Sequence, residues 1–174
     1  GWGSALTAKQ DQLSALHAGM LLGSGTAELS GPELADRMAD LGATWDVGMD
    51  PDTLWARLEV PTGSEGEALK LLVSSLRHAA FPAAQGREAA QRWAKWRDTL
   101  YLDLDRTHER ALNHAWYPPG HPLRHTATAK EIKHLDPADA SALVDRVLAE
   151  SNPLVVAVGD TTMEMLLPAL EAAL

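Results

Sequence analysis

Histidine is the residue type in this sequence with the widest chemical range, because a neutral imidazole binds metals and titrates near neutral pH. Five of the seven histidines lie between His108 and His134. His121 and His125 have a four-residue spacing, but Pro122 and the prolines before it predict a loop, where that spacing places nothing on one face. A zinc site also needs three or more protein ligands. We therefore interpret this segment as a polar surface loop.

A further histidine lies on the first predicted helix. Residues 7–22 have amphipathic helical spacing, with Thr7 as the N-cap and Leu13, Leu16 and Met20 on the inward face. His17 is the single histidine of this helix, and no glutamate or second histidine is at helical spacing from it. We therefore predict that His17 is a partly exposed helix residue and not a metal ligand.

Composition excludes several classes of partner. The chain has 174 residues and no cysteine, which excludes disulfides and cysteine-based zinc sites. Its formal net charge of −9 argues against binding to nucleic acid or to an anionic membrane surface, since both need clustered Lys and Arg. No apolar run approaches the roughly 20 residues of a membrane span. The sequence predicts one soluble, acidic domain that buries a single core.

The stretch from Met20 to Val60 indicates the fold class. Ser30-Gly31-Pro32-Glu33 has the pattern of a capping box and Gly42 that of a left-handed C-cap, so a helix is expected between them. Its predicted inward residues are Leu34, Met38 and Leu41. Segments 43–48 and 53–60 then alternate with a period of two on either side of a turn, which predicts a β-hairpin.

The rest of the sequence is mostly helical in pattern. Helices are predicted at residues 65–76, 85–102, 107–116, 128–135 and 138–149, and at the C-terminus after Thr162. On the second of these, Trp93 and Trp96 share a side, which we interpret as packing. Leu154 to Val158 is a continuous apolar run, which predicts an inner strand covered on at least one face. Together these elements predict an α+β domain with helices packed on one face of a mainly antiparallel sheet.

The order of these elements resembles the pitrilysin or insulinase-type metallopeptidase family, also called inverzincins. The similar features are a helix before a Gly-Thr turn, a capped helix ending in Leu-Gly-Ala, a hairpin with Asp in its turn, the Ala-Phe-Pro turn at 80–82, the loop at 117–123 and the strand-like segment 152–160. The resemblance covers nearly the whole chain. It implies one insulinase-type half-domain over residues 1–174, without its first strands, because Gly3-Ser4 is similar to the end of a strand that two others precede in the family.

The resemblance also implies where a catalytic site would lie. Active members of the family carry His-x-x-Glu-His on the first helix, where two histidines bind zinc and the glutamate activates the metal-bound water. Those positions fall near Ala15, Ala18 and Gly19, and none of these residues can bind a metal or take a proton. The third ligand would fall at 96–98, where Asp98 cannot complete a site alone. We therefore expect no catalytic residue, cofactor or metal in this chain, and zinc in a catalytic partner only.

The hairpin is the surface that we predict to face a peptide. Side chains of its second strand alternate between a core face (Leu54, Ala56, Leu58, Val60) and an open face (Trp55, Arg57, Glu59). The resemblance implies that the open face lines a chamber, where Trp55 would offer an apolar platform and Arg57 would bind a carbonyl or carboxylate. The alternative is that this face is an ordinary solvated sheet surface.

Two classes of function follow from the resemblance. The first is a non-catalytic domain or subunit of an insulinase-type zinc metallopeptidase, which encloses a peptide chamber with a zinc-bearing catalytic domain or subunit, or with a homologous copy. The second is a structural or assembly subunit of a larger complex, with no role in proteolysis. Co-purification of a zinc-bearing chain would separate the two. Either class is compatible with a bacterial periplasm or cell envelope.

Overall fold

The computed structural model describes residues 9–50, 53–99, 104–121, 124–125, 127–150 and 152–173. These residues form eight helices and one two-stranded antiparallel sheet, so the chain has the predicted α+β fold class. In chain order the elements are α1 (Lys9–Leu21), α2 (Gly31–Asp40), β1 (Thr44–Met49), β2 (Leu54–Glu59), α3 (Glu65–Arg77), α4 (Ala83–Thr99), α5 (Leu104–Trp116), α6 (Ala129–Lys133), α7 (Pro137–Glu150) and α8 (Met163–Ala173). Thr7, the predicted cap of α1, lies outside the described residues.

The capping signals before α2 form as predicted. The Ser30 side chain accepts from the Glu33 amide, and the Glu33 carboxylate accepts from the Ser30 amide at 2.9 Å. Gly42 has φ +65°, the left-handed conformation that a glycine adopts without strain just after a helix. Leu34 and Met38 are buried. Local sequence alone was sufficient for this helix because its caps are made within a few residues.

The hairpin register is set at its turn. The Asp50 amide donates to the Thr53 carbonyl at 2.8 Å, and the Thr53 amide donates to the Asp50 carbonyl at 3.4 Å. This pairing places Gly48 opposite Trp55. Val47 and Met49 are buried on the other face of β1. A one-residue slip would expose both, so burial holds the register.

The predicted core face of β2 is only partly correct. Leu54 and Leu58 are half-buried, and Val60 is half-buried just beyond the strand, but Ala56 is exposed. Trp55, Arg57 and Glu59 are exposed, as predicted for the open face. Alternation therefore separated the two faces, while the depth of burial depends on which elements cover the strand.

The chain divides into two compact units, each built from segments that are distant in the sequence. In the first unit, α4 packs against α1 and α6. Its apolar cluster consists of buried residues from these helices and from the turn after α6: Leu13, Ala90, Trp93, Ala94, Ile132 and Leu135. A second capping box, between Thr128 and Glu131, begins α6. Thr128 caps this short helix and Ile132 lies in it, as predicted, but Leu135 lies beyond its end at Lys133. Both Ile132 and Leu135 are buried.

The second unit contains most of the hairpin together with α2, α3 and α8. Within it, α3 packs against α8, β2 and α2. Leu72 and Val73 of α3 are buried, and the Ser75 hydroxyl, also buried, donates to the Leu72 carbonyl at 2.7 Å. The turn after α1 joins the end of α3 through an antiparallel bridge between Thr26 and Ala79. The side of α3 that carries Leu72 and Val73 is thus its packing face.

The predicted inner strand at 154–158 is wrong. The segment belongs to no strand of the described chain, and its large side chains are exposed, from 50% for Val155 to 96% for Val158. Apolar β-branched residues favour a strand only when a neighbouring strand supplies hydrogen bonds and a packed surface supplies burial. Among the described residues, this segment has neither a neighbouring strand nor a surface that covers it. Composition alone therefore predicted burial for side chains that are exposed.

Candidate functional site

The positions on α1 where the resemblance would place zinc ligands are filled by packing. Ala15 and Ala18 are completely buried. A Cβ added at Gly19 would lie 2.6 Å from the backbone oxygen of Met49, so the backbone of β1 occupies the space that a side chain would need. Replacing the three residues with His, Glu and His would therefore clash before it could create a site.

His17 is buried, and the prediction of a partly exposed residue is wrong. Its Nε2 donates to the Gly86 carbonyl at 3.0 Å, since a carbonyl oxygen only accepts. Its Nδ1 is buried with no hydrogen-bond partner. A Cβ at Gly86 would lie 2.1 Å from Cγ of Pro137, so the lack of a side chain at Gly86 permits the close approach of Pro137 to α4. The residue is a packed link between α1 and α4, a contact that helical spacing cannot reveal.

The region expected to hold a third ligand carries no metal site either. Trp96 is 47% exposed, and Arg97 donates its Nε hydrogen to the Ala127 carbonyl at 2.8 Å. Asp98 lies near the end of α4. Among the residues that the structure describes, no three His, Cys, Asp or Glu side chains are grouped so that they could hold a metal ion.

The histidine-rich loop is organised by local contacts. The rings of Tyr117 and His121 stack with centroids 4.3 Å apart, and Arg124 donates to the Tyr117 carbonyl at 3.0 Å. His125 Nε2 lies 3.5 Å from a Glu131 carboxylate oxygen. That carboxylate also accepts from Thr128 in the capping box of α6, so it already serves a structural role. This arrangement agrees with the prediction of a structural loop.

An open groove lies along α1 and α4, with a volume of about 410 Å³. It is lined by Met20, Ala89, Arg92, Trp93 and Trp96. Helical spacing does not reveal this groove, because it places Met20 and Trp96 on the packed side of their helices. Met20 is in fact 43% exposed, while Trp93 is buried. Arg92 forms a salt bridge with Glu88 one helical turn away, so the groove's one charged lining residue is already paired.

The hairpin carries the predicted peptide-facing residues, and their geometry is specific. The Trp55 indole lies against Gly48: a Cβ added there would be 2.5 Å from Cζ2, 2.7 Å from Cε2 and 3.1 Å from Nε1. Gly48 is buried in consequence, while Trp55 remains 37% exposed. Arg57 and Glu59 form a salt bridge two residues further along the strand, with both side chains mostly exposed. The three residues thus share a surface with one aromatic ring and one ion pair.

Two further features bear on partners. Large apolar side chains are exposed on α8 as well as at 154–158, namely Met163, Met165 and Leu167. Within the described ranges, no helix is both long enough and apolar enough to cross a membrane. Large apolar side chains that are exposed in this way are candidates for contact with another protein segment.

Comparison with known proteins supports the fold. No family model matches the sequence, and no curated protein is similar to it. Solved structures that are similar to this chain include the following two. The periplasmic protease PqqL from Escherichia coli matches with a TM-score of 0.68 and 18% identity, covering 83% of this chain and 16% of that one. A peptidase M16 inactive domain from Pseudomonas fluorescens matches with a TM-score of 0.65 and 21% identity, covering 79% of this chain and 35% of that one.

These similarities confirm the fold that the resemblance implied, that of the insulinase-type M16 peptidases. The chain spans about a sixth of the length of one neighbour and about a third of the other. One neighbour is described as an inactive domain, which fits the residues found at the expected metal positions of α1.

Proposed function

We propose that this chain is a non-catalytic domain or subunit of an insulinase-type zinc metallopeptidase, which helps to enclose a peptide-binding chamber with a zinc-bearing catalytic partner. The observation that carries the proposal is the packing of α1. The fold is that of the M16 peptidases, yet Ala15 and Ala18 are buried in the core and Gly19 lies against the Met49 backbone. This chain therefore has a fold that is also found in a protease, but the expected metal positions on its α1 hold no residue that can bind a metal.

The proposed peptide-facing surface is the open face of β2. Trp55 offers an exposed aromatic ring, and Arg57 a guanidinium held by Glu59. Aromatic and Arg residues are common anchors at binding surfaces, because they combine large contact area with specific polar geometry. The catalytic partner would supply zinc and the general base. This chain would contribute part of the surface that binds the peptide. Substitutions on that surface should therefore change peptide binding and not the rate of the chemical step.

The test is reconstitution with the catalytic partner. A pull-down from the native source, followed by intact-mass analysis, should recover a chain that carries zinc. With that assembly, Trp55→Ala and Arg57→Ala should raise the peptide KM several-fold while kcat changes little. Arg87→Ala, an exposed arginine on α4, is the control. If no zinc-bearing chain is recovered, or if both hairpin variants match wild type in an intact assembly, the peptide-chamber proposal fails.

A second function is supported by a different observation. The exposed apolar side chains at 154–158 and on α8 fit a subunit whose main role is assembly. In that case the chain would be a structural subunit of a larger complex, without a role in proteolysis. It would co-purify with a complex that contains no zinc peptidase, and the hairpin substitutions would leave that complex unchanged.

The periplasm is the compartment that we propose. The support is the periplasmic protease among the structural neighbours. Fractionation of cells expressing the native gene, with an antibody against the chain, would test it. Recovery in the cytoplasmic fraction would contradict the proposal.

A further inference from the structure

We propose that Gly48 is a positioning residue for Trp55, and that the indole so positioned takes an apolar side chain of a bound peptide. This inference rests on the proposed function, because it names the part of the peptide that the hairpin face recognises. The evidence is the close fit between a glycine backbone on β1 and an aromatic ring on β2. Gly48 and Trp55 are opposite each other in the hairpin register, and the ring occupies the space in which any other residue would place its Cβ.

A glycine within a strand normally weakens it, since it costs more backbone entropy and brings no side chain to pack. Gly48 lies between Val47 and Met49, both buried on the opposite face. The absence of a side chain at Gly48 lets the Trp55 indole lie close against the strand, with Cζ2, Cε2 and Nε1 nearest to the glycine. Trp55 remains 37% exposed, and this exposed part stays open to a ligand.

The surroundings of Trp55 indicate the chemistry of that ligand. Arg57 already forms a salt bridge with Glu59, and Asp46 lies opposite Arg57 in the same register. The open face therefore carries two acidic groups against one basic group, so it does not favour an acidic peptide side chain, although Arg57 keeps N–H donors for a peptide carbonyl. The ring is the feature left to recognise a peptide side chain. An aromatic or large aliphatic side chain fits it, because stacking on an indole is specific beyond simple burial.

A cross-strand aromatic that covers a glycine also stabilises a hairpin without any ligand. A purely structural role predicts that Gly48→Ala lowers the free energy of unfolding and leaves peptide selectivity unchanged in the folded protein. A positioning role predicts a loss of selectivity that depends on Trp55. The two roles therefore predict different peptide selectivities, and selectivity is measured on folded protein whatever its stability.

The experiment uses the whole chain and two nonapeptides that differ only at the central residue, Phe or Ala. Binding is followed by two-dimensional NMR of the tryptophan indole N–H groups, and the Trp55 signal is assigned as the one missing from Trp55→Phe. We expect wild type to bind the Phe peptide about three- to tenfold more tightly than the Ala peptide. Gly48→Ala and Trp55→Ala should each abolish that preference. In the Trp55→Ala background, Gly48→Ala should have no further effect.

The matched control is Gly66→Ala on α3, where an added Cβ meets nothing within 4 Å. It should keep the full preference. If wild type binds both peptides equally, the chain binds peptides but the Trp55 inference is wrong. If Gly48→Ala keeps the preference while folded, the positioning role of Gly48 is wrong. If neither peptide shifts any indole signal at millimolar concentration, the proposed function itself fails.

Discussion

The imidazole of His17 donates to the Gly86 carbonyl at 3.0 Å, and this contact links α1 to α4 across 69 residues of sequence. In the fold of the M16 peptidases, α1 is the helix that the resemblance associates with catalysis. Here its histidine holds two helices together instead. The ring is fully buried, and the carbonyl that it contacts belongs to a glycine whose missing side chain leaves room for Pro137. The contact is structural, and it can be tested as such.

Replacement of His17 should destabilise the chain. We expect His17→Ala to lower the free energy of unfolding by about 2–4 kcal/mol, since it removes a buried ring and a buried hydrogen bond. Urea unfolding followed by circular dichroism measures the change. His114→Ala is the control, because His114 is exposed on α5. An equal, small effect for both variants would contradict the packing role.

Two glycine substitutions should have different effects on the free energy of unfolding. Gly86→Ala would place a Cβ 2.1 Å from Pro137 Cγ, so we expect a loss of about 1–3 kcal/mol from overpacking. Gly66→Ala has free space on α3, so stability should be unchanged or raised by up to about 1 kcal/mol. Thermal or urea unfolding of the pair tests this. A Gly86→Ala chain as stable as wild type would show that α4 and α7 shift apart easily.

The capping box of α2 predicts a pH dependence. Hydrogen bonds from the Ser30 side chain and backbone hold the pKa of Glu33 below its ordinary value of 4.5. A depressed pKa means that ionised Glu33 stabilises the folded state above pH 4.5, and that this contribution is lost as the pH falls through the lowered pKa. The stability difference between wild type and Glu33→Gln should therefore shrink on acidification through that range.

The measurement for Glu33 is urea unfolding at a series of pH values from 7 downward. Glu171→Gln, at an exposed glutamate of α8, serves as the matched control for removing one carboxylate. A difference between wild type and Glu33→Gln that stays constant through the acidic range would rule out the linkage.

The exposed run at 154–158 should promote self-association. Leu154 and Val158 are 89% and 96% exposed, and the run between them has no charge. Uncharged β-branched segments pair readily with other strands. Val156→Lys should lower the sedimentation-average mass at high concentration, with little change in unfolding. Ala142→Lys, at an exposed site of α7, adds the same charge elsewhere. A wild-type chain that is monodisperse and monomeric at high concentration would contradict this prediction.

The chain alone should bind no stoichiometric zinc and cleave no peptide. A catalytic zinc needs about three protein ligands and an adjacent base, and the relevant face of α1 is packed with Ala15, Ala18 and Gly19. Metal analysis after dialysis is the measurement. One zinc per chain that disappears in His17→Ala would overturn both the zinc prediction and the structural role of His17.

Sequence alone determined the features whose causes are local. The capping boxes at Ser30 and Thr128, the left-handed Gly42 and the hairpin turn all depend on groups within a few residues of one another, so their residue types specify them. The order of these elements was enough to indicate the fold. The empty catalytic motif was also visible directly, because alanine and glycine cannot bind a metal in any environment.

The tertiary structure decided everything that depends on distant neighbours. His17 is buried where α1 packs against α4, and Trp55 lies close against Gly48, which has no side chain. The run at 154–158 is exposed because a strand needs a partner, which its own residues cannot supply. Met20 and Trp96 line a groove although their spacing predicts packing. Whether a residue is buried depends on both of the surfaces that pack together. The spacing of residues along one segment describes only one of those surfaces.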